Sequence, residues 1–278
     1  MKVYYCDEYI SAGHAWDTTR KAAKVAALLK TEPNISLERP TPLNRQQLTQ
    51  VHDEKYVDAV LTGRPRSLAE SNGFTWCPNL SKAVLYSNGG VLAASYEALK
   101  TGVSGSLSSG LHHAGIHRGG GFCTFNGLAI AAVEITTIVP ESRILIIDFD
   151  AHYGDGTAQI IENHDRIDQI DVSTGYRKRD YITECCEALN SIRISDYTLI
   201  LYNAGMDPHE NCLIGGRSGV TDEILNQRDK LVFESCCEKG KPVAFVLAGG
   251  YANSTFPESQ LAQLHAETCL LAQKIYNV

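Results

Sequence analysis

Short, continuously apolar runs alternate along the chain with segments whose apolar residues recur every three or four positions. The first pattern predicts buried strands at 144–147, 197–202 and 243–247; further strands are expected at 1–6, 35–38 and 167–172, and a strand of small residues at 102–109. The second predicts helices, at 17–29, 43–49, 54–61, 79–99, 127–137, 157–162, 181–192, 220–238 and 261–275. The alternation predicts an α/β fold in which a mostly parallel sheet lies between helical layers. We expect one domain over residues 1–278.

Two glycine-containing stretches qualify this pattern. Residues 62–73 are rich in Gly, Pro, Arg and Ser, so a loop is expected there. The pair Gly89-Gly90 falls inside a predicted helix, where the missing side chains would let another backbone approach closely.

Composition limits the classes of function. A formal net charge of −7 gives no basic surface of the kind that binds nucleic acid, whereas a cationic substrate is compatible with it. No apolar run is long enough to span a bilayer, and the N-terminus turns acidic too early for a signal peptide. The nine cysteines are scattered without a C-x-x-C pair, which indicates reduced thiols and a cytoplasmic location.

The stretch 144–156, ILIIDFDAHYGDG, concentrates polar residues directly after an apolar strand. Ligands of open α/β sheets lie at the carboxyl ends of strands, so these groups are placed for chemistry. Asp150 and His152 are two positions apart, and in an extended segment their side chains point to the same side. A carboxylate and an imidazole together suit zinc or a similar divalent cation.

Three further strand ends carry reactive groups. His112 and His113 lie in a glycine-rich loop after one strand, Asp207 follows a second, and Tyr251 follows a third. Two carboxylates and one imidazole would leave a coordination position open for water and substrate, as in catalytic zinc sites. Paired histidines could transfer protons, and a tyrosine on a glycine turn could donate to a developing oxyanion.

Several of these segments together resemble the histone deacetylase superfamily of zinc-dependent amidohydrolases. They are GLHHAGIHRGGGFCTFNGLAIA, ILIIDFDAHYGDGT, DVST, LYNAGMD and LAGGY, and the likeness extends from VHDEKYV at 51–57 to the last glycine-tyrosine turn. The combination YNAGMD, QRDKLVF and GGY is similar to the class IV branch in particular. The resemblance implies the arginase-deacetylase fold and hydrolysis of an acyl group from lysine side chains or a related amine.

The resemblance also implies roles for individual residues. Asp150, His152 and Asp207 match the ligands of one zinc ion. The proton-transfer and oxyanion residues that it implies are His113 as general base and acid, with Asp155 behind it; His112 as electrostatic support, with Asp148 as its partner; and Tyr251 as donor to the scissile carbonyl. The residues expected around a structural monovalent cation, often potassium, are Asp148, Asp150, His152, Ser173 and Thr174.

The substrate channel is where the chain departs most from the family. Gly121 and Phe122 match one wall of the acyl channel, and Ile214 is expected at its floor or rim. The stretch 173–203 is shorter than in class I and II enzymes and lacks the loop that supplies a second aromatic wall, for which Tyr176 or Tyr181 is the expected substitute.

Two departures lie elsewhere. Tyr153 replaces a common second histidine after the ligand His152, and residues 13–20 replace the usual HP-x-x-P-x-R type of loop.

Three alternatives stay open. A binuclear-manganese ureohydrolase shares the Asp-Ala-His motif, but it needs further aspartates where this chain has Gly154 and Pro208-His209. A catalytically inactive relative would only bind acylated lysine. The substrate itself is acyl-lysine in a protein or peptide, an acetylated polyamine or a small acylated amine.

Overall fold

The computed structural model describes residues 1–13, 17–173 and 180–278, and its strands form one parallel sheet. The strands are β1 (Lys2–Tyr4), β2 (Ser36–Glu38), β3 (Val103–Ser106), β4 (Ile144–Asp148), β5 (Ile167–Asp171), β6 (Leu199–Asn203) and β7 (Val243–Val246). They lie in the order β2-β1-β3-β7-β6-β4-β5, and every pairing is parallel. The predicted parallel sheet is therefore confirmed.

The α-helices follow the predicted pattern with one addition. They are α1 (Asp17–Leu29), α2 (Arg45–Leu48), α3 (Glu54–Thr62), α4 (Arg66–Ala69), α5 (Pro78–Thr101), α6 (Gly127–Ile138), α7 (Asp155–Ile161), α8 (Tyr181–Asn190), α9 (Asp222–Cys237) and α10 (Glu258–Tyr276). The prediction of a loop at 62–73 was wrong over α4. This short helix starts after Pro65, whose fixed φ suits a helix entry, and its last turn carries an ion pair of 3.0 Å between Arg66 and Glu70.

Strand β4 packs against the helical layers on both faces of the sheet. Its four aliphatic side chains are fully buried. Leu145 and Ile147 pack in a core with α1, α8, α9 and α10, while Ile144 and Ile146 pack in a second core with α2, α3, α5 and α6. Burial on both faces of the sheet requires a continuous apolar run rather than an alternating one. Each such side chain contributes about 1.5–3 kcal/mol of burial free energy.

Gly89 and Gly90 do not interrupt α5, which is continuous through them. A Cβ atom at Gly89 would collide with the carbonyl oxygen of Thr41, and one at Gly90 would collide with the hydroxyl of Tyr9. The predicted close approach of another backbone is thus confirmed.

The described part of the chain contains no helix with the length and apolar character that membrane crossing requires. All nine cysteines are unpaired. The cytoplasmic location stays a prediction.

Candidate active site

The predicted site residues follow four strands that are neighbours in the centre of the sheet. These residues are His112 and His113 after β3, Tyr251 after β7, Asp207 after β6, and Asp150 and His152 after β4. Because all four strands run in the same direction, their carboxyl ends meet at one edge. The topology therefore gathers groups that are far apart in sequence.

Asp150, His152 and Asp207 form a compact cluster. One ligand atom of each lies within 4.8 Å of the others, and both carboxylates are buried. The Nδ1 atom of His152 is 2.9 Å from Oδ2 of Asp207 and 3.2 Å from Oδ1 of Asp150. The three side chains thus converge on one point, with the same imidazole nitrogen facing both carboxylates.

The two buried carboxylates of this cluster favour a positive charge beside them. Hydrogen bonds that His152 donates to the two carboxylates, Asp150 first, raise the pKa of this histidine to about 10 despite partial burial. Burial and the neighbouring Asp150 raise the pKa of Asp207 to about 7, although His152 opposes this. Two buried carboxylates cost folding free energy unless a cation accompanies them. A divalent cation would take the place of the imidazole proton, since metal ligands bind in their deprotonated form.

Backbone groups hold the two carboxylates in place. The N–H groups of Ala151 and Gly249 donate to Asp207 Oδ1 at 3.0 Å and to Asp150 Oδ2 at 2.8 Å. Glycines leave the space for this arrangement, because a Cβ at Gly205 or at Gly249 would lie 2.6 or 2.5 Å from Asp150 Oδ2. One imidazole and two fixed carboxylates are a donor set that fits zinc.

The two histidines after β3 each have a carboxylate partner, as the resemblance implied. His112 is buried, and its Nδ1 lies 2.9 Å from Asp148 Oδ2. Burial alone would lower the pKa of His112, but Asp148 and Asp150 outweigh it and raise the pKa to about 10. His113 is partly exposed, and its Nδ1 lies 2.6 Å from Asp155 Oδ1. Burial and the neighbouring His112 lower the pKa of His113, which favours the neutral form that a base needs.

Tyr251 lines the same small cavity as His112 and Asp150. Burial, Asp207 and Asp150, in that order, raise the pKa of its hydroxyl, so the group keeps its proton. Among the described residues, its hydroxyl has no hydrogen-bond partner. A protonated, unengaged hydroxyl beside the cluster is able to donate to a substrate oxygen.

The predicted channel residues take different positions. Gly121 lines the cavity and its backbone packs on the imidazole of His113, while the ring centroid of Phe122 is 6.4 Å from that of Tyr251. Ile214 does not line this cavity but precedes Gly215, whose Cα faces Ala151 and His152.

Tyr181 was a wrong choice for the missing aromatic wall. Its ring is buried at the start of α8, and its hydroxyl donates to the Phe149 carbonyl at 2.8 Å. Tyr176 and Thr174 lie outside the described residues. The monovalent-cation site therefore stays a prediction; its member Ser173 is half-buried and lies two residues after β5.

The sequence analysis missed two residues that flank Asp148 on the neighbouring strands. Asn203 on β6 donates to Asp148 Oδ1 at 2.8 Å, and Asp171 on β5 pairs with Asp148 in the sheet register. Burial, followed by the Asp148 charge, raises the pKa of Asp171 to about 7. Each is the last residue of a strand, and that position was the signal that could have identified both.

Comparisons with known proteins agree with this geometry. The sequence matches the histone deacetylase domain over residues 14–172, more than half of the chain. It is 30% identical to an uncharacterized protein of Picosynechococcus sp. over 237 residues, covering 78% of this chain and 79% of that protein. It is 25% identical to histone deacetylase 2 of Arabidopsis thaliana, covering 79% of this chain but only 64% of that protein.

Two solved structures share the fold. The acetylpolyamine aminohydrolase of Burkholderia pseudomallei superposes with a TM-score of 0.80 at 15% identity, covering 99% of each chain. The HD domain of HDA15 gives 0.73 at 17% identity, covering 99% of this chain and 93% of the domain. At such identities the likeness establishes the arginase-deacetylase fold alone.

The fold and the matched domain define a hydrolase that acts on linear amide C–N bonds, with a possible metal-binding triad at its centre. The chain belongs to the histone deacetylase family.

Proposed function

We propose that this protein is a zinc-dependent deacylase that hydrolyses the amide bond between an acyl group and a lysine side chain or a related amine. The observation that carries the proposal is the convergence of three groups at a single edge of the sheet: a triad that could hold a cation, a histidine–carboxylate pair, and a tyrosine hydroxyl that has no hydrogen-bond partner among the described residues.

Asp150, His152 and Asp207 would hold the ion. Zinc bound at these ligands would supply a Lewis acid that polarises the scissile carbonyl and lowers the pKa of the attacking water. The lowered pKa of His113 leaves the imidazole neutral and ready to accept a proton. Asp155, 2.6 Å from Nδ1, holds the ring in place, with its centroid 6.0 Å from that of His152, and would stabilise the imidazolium once the proton arrives.

The protonated His113 can then return its proton to the leaving amine. Tyr251 donates its hydroxyl hydrogen to the carbonyl oxygen as negative charge develops there. His112, which shares its proton with Asp148, adds positive charge beside the reacting carbonyl. These roles reproduce the sequence-based assignments, and the contacts described above support them.

A single ion is preferred to the two ions of a ureohydrolase. Among the described residues, the triad is the one group of three or more metal-ligating side chains. His209, which stands where the second site would need a ligand, pairs with Asp222 at 2.8 Å and stacks on Phe256. Its imidazole is therefore engaged elsewhere.

Acylated lysine is the first candidate substrate, and an acetylated polyamine is the second. The polyamine class is that of a structural neighbour with the same fold, and the net charge of −7 suits a cationic substrate. A hydrolysis screen over acyl-lysine peptides and acetylpolyamines, with and without a chelator, tests the proposal. We expect chelator-sensitive hydrolysis of acyl-lysine peptides. Binding of these peptides without turnover would instead indicate an inactive acyl-lysine binder.

A further inference from the structure

Helix α9 buries an ion pair directly beneath the candidate metal centre. Arg228 and Asp229 are both fully buried, and the guanidinium donates to Asp229 Oδ1 through Nη2 at 2.7 Å and through Nε at 2.9 Å. Asp229 also accepts hydrogen bonds of 2.6 Å from the hydroxyls of Tyr202 and Thr268. A buried ion pair stabilises a fold less well than apolar packing does, so this one calls for another explanation.

The remaining guanidinium nitrogen of Arg228 reaches the loops that carry the triad. Its Nη1 donates to the carbonyl oxygen of Gly205 and, at 3.3 Å, to that of Phe149. The Phe149 carbonyl belongs to the peptide unit that leads into Asp150. Gly205 lies two residues before Asp207, and its Cα packs on the Asp150 carboxylate. One side chain thus connects the loop after β4 with the loop after β6.

We infer that Arg228 is a positioning residue that fixes these two loops, and thereby sets the affinity of the triad for zinc. The inference rests on the proposed zinc site. Groups that orient metal ligands typically change metal affinity by about 10–100-fold when they are removed. Asp229 neutralises the guanidinium, so that the carbonyl contacts are made without adding net charge under the site.

The fork geometry explains why arginine occupies the position. A guanidinium presents five N–H groups in one plane, so it can bind a carboxylate on one edge and two carbonyls on the other. A lysine offers one compact charge and cannot span both loops. We therefore expect Arg228→Lys to keep the charge while losing part of the zinc affinity.

The test compares zinc affinity with stability in matched variants. Removing Arg228 alone would leave the buried carboxylate of Asp229 without its counter-charge, so the main variant is Arg228→Met with Asp229→Asn. Its control is Arg217→Met with Glu184→Gln, which removes a partly buried ion pair of 2.7 Å elsewhere in the same layer. Zinc dissociation constants come from competition with a fluorescent chelator, melting temperatures from circular dichroism, and kcat from assays at rising zinc concentration.

We expect zinc to bind about 10–100-fold more weakly to the Arg228/Asp229 variant and with wild-type affinity to the control. Saturating zinc should restore much of kcat in the first variant. A zinc affinity within threefold of wild type, whatever the melting temperature, would overturn the inference. If the double variant does not fold, the same threefold limit applies to the zinc affinity of Arg228→Lys. Wild-type protein that binds no zinc would refute the proposed function itself. This outcome differs from one in which wild type and variant bind zinc equally well, which refutes only the role of Arg228.

Discussion

Replacing Tyr251 with phenylalanine tests whether this residue acts as an oxyanion donor or only packs against its neighbours. The ring of Tyr251 lies tilted beside that of Phe122 with their centroids 6.4 Å apart, and within the described residues the hydroxyl makes no hydrogen bond. Its removal should therefore change the free energy of unfolding by no more than about 1 kcal/mol. Loss of one preorganised oxyanion donor typically costs about 100-fold or more in kcat, roughly 3 kcal/mol of transition-state stabilisation.

The expected result is a collapse of kcat with KM, zinc content and melting temperature near wild type, because the hydroxyl acts mainly when the carbonyl becomes tetrahedral. Steady-state kinetics on an acyl-lysine peptide, alongside metal analysis, give these values. The matched control is Tyr153→Phe, which removes an exposed hydroxyl next to a proposed ligand and should leave kcat within about twofold. A kcat near wild type in Tyr251→Phe would show that another group polarises the carbonyl.

Three further predictions concern proton transfer and substrate. His113→Ala should retain zinc and lose nearly all turnover, whereas His112→Ala should do less harm; greater damage from the His112 change at every pH would reverse the assignment. Because the pKa of His113 is lowered from 6.5 and its neutral form is the base, kcat/KM should rise with pH through a midpoint below 6.5 and stay high above it. Asp155→Asn removes a carboxylate that raises this pKa, so the midpoint should move further to acid and the plateau should fall; an unchanged pH profile would exclude His113 as the titrating base. Since the stretch 173–203 is short, acyl chains longer than acetyl should be accepted; a strict preference in kcat/KM for acetyl over octanoyl would contradict this.

Much of the fold was predictable because its signals are local. Strands β4, β6 and β7 are short, largely apolar runs, and the register of β4 with β5 and β6 places Asp148 opposite Asp171 and Asn203. Parallel strands collect their carboxyl ends at one edge, so polar residues after each apolar run could be assigned to one site before any distance was known. The single-domain assignment stays a prediction.

The parts that could not be predicted depend on tertiary packing. Whether Tyr181 faces the channel or the core depends on how α8 docks, and the sequence pattern carries no signal for this choice. From the sequence, Arg228 and Asp229 in α9 are expected on the polar face of an amphipathic helix, yet both side chains are buried under the site. The ion pair that supports α4 likewise joins residues inside a stretch whose composition is typical of a loop.

Metal analysis combined with turnover is the most direct test of a single-zinc deacylase. We predict one zinc per chain in purified wild-type protein, and loss of both zinc and hydrolysis in Asp207→Ala with only a modest loss of stability. Two ions per chain, or full turnover in metal-free protein, would contradict the account.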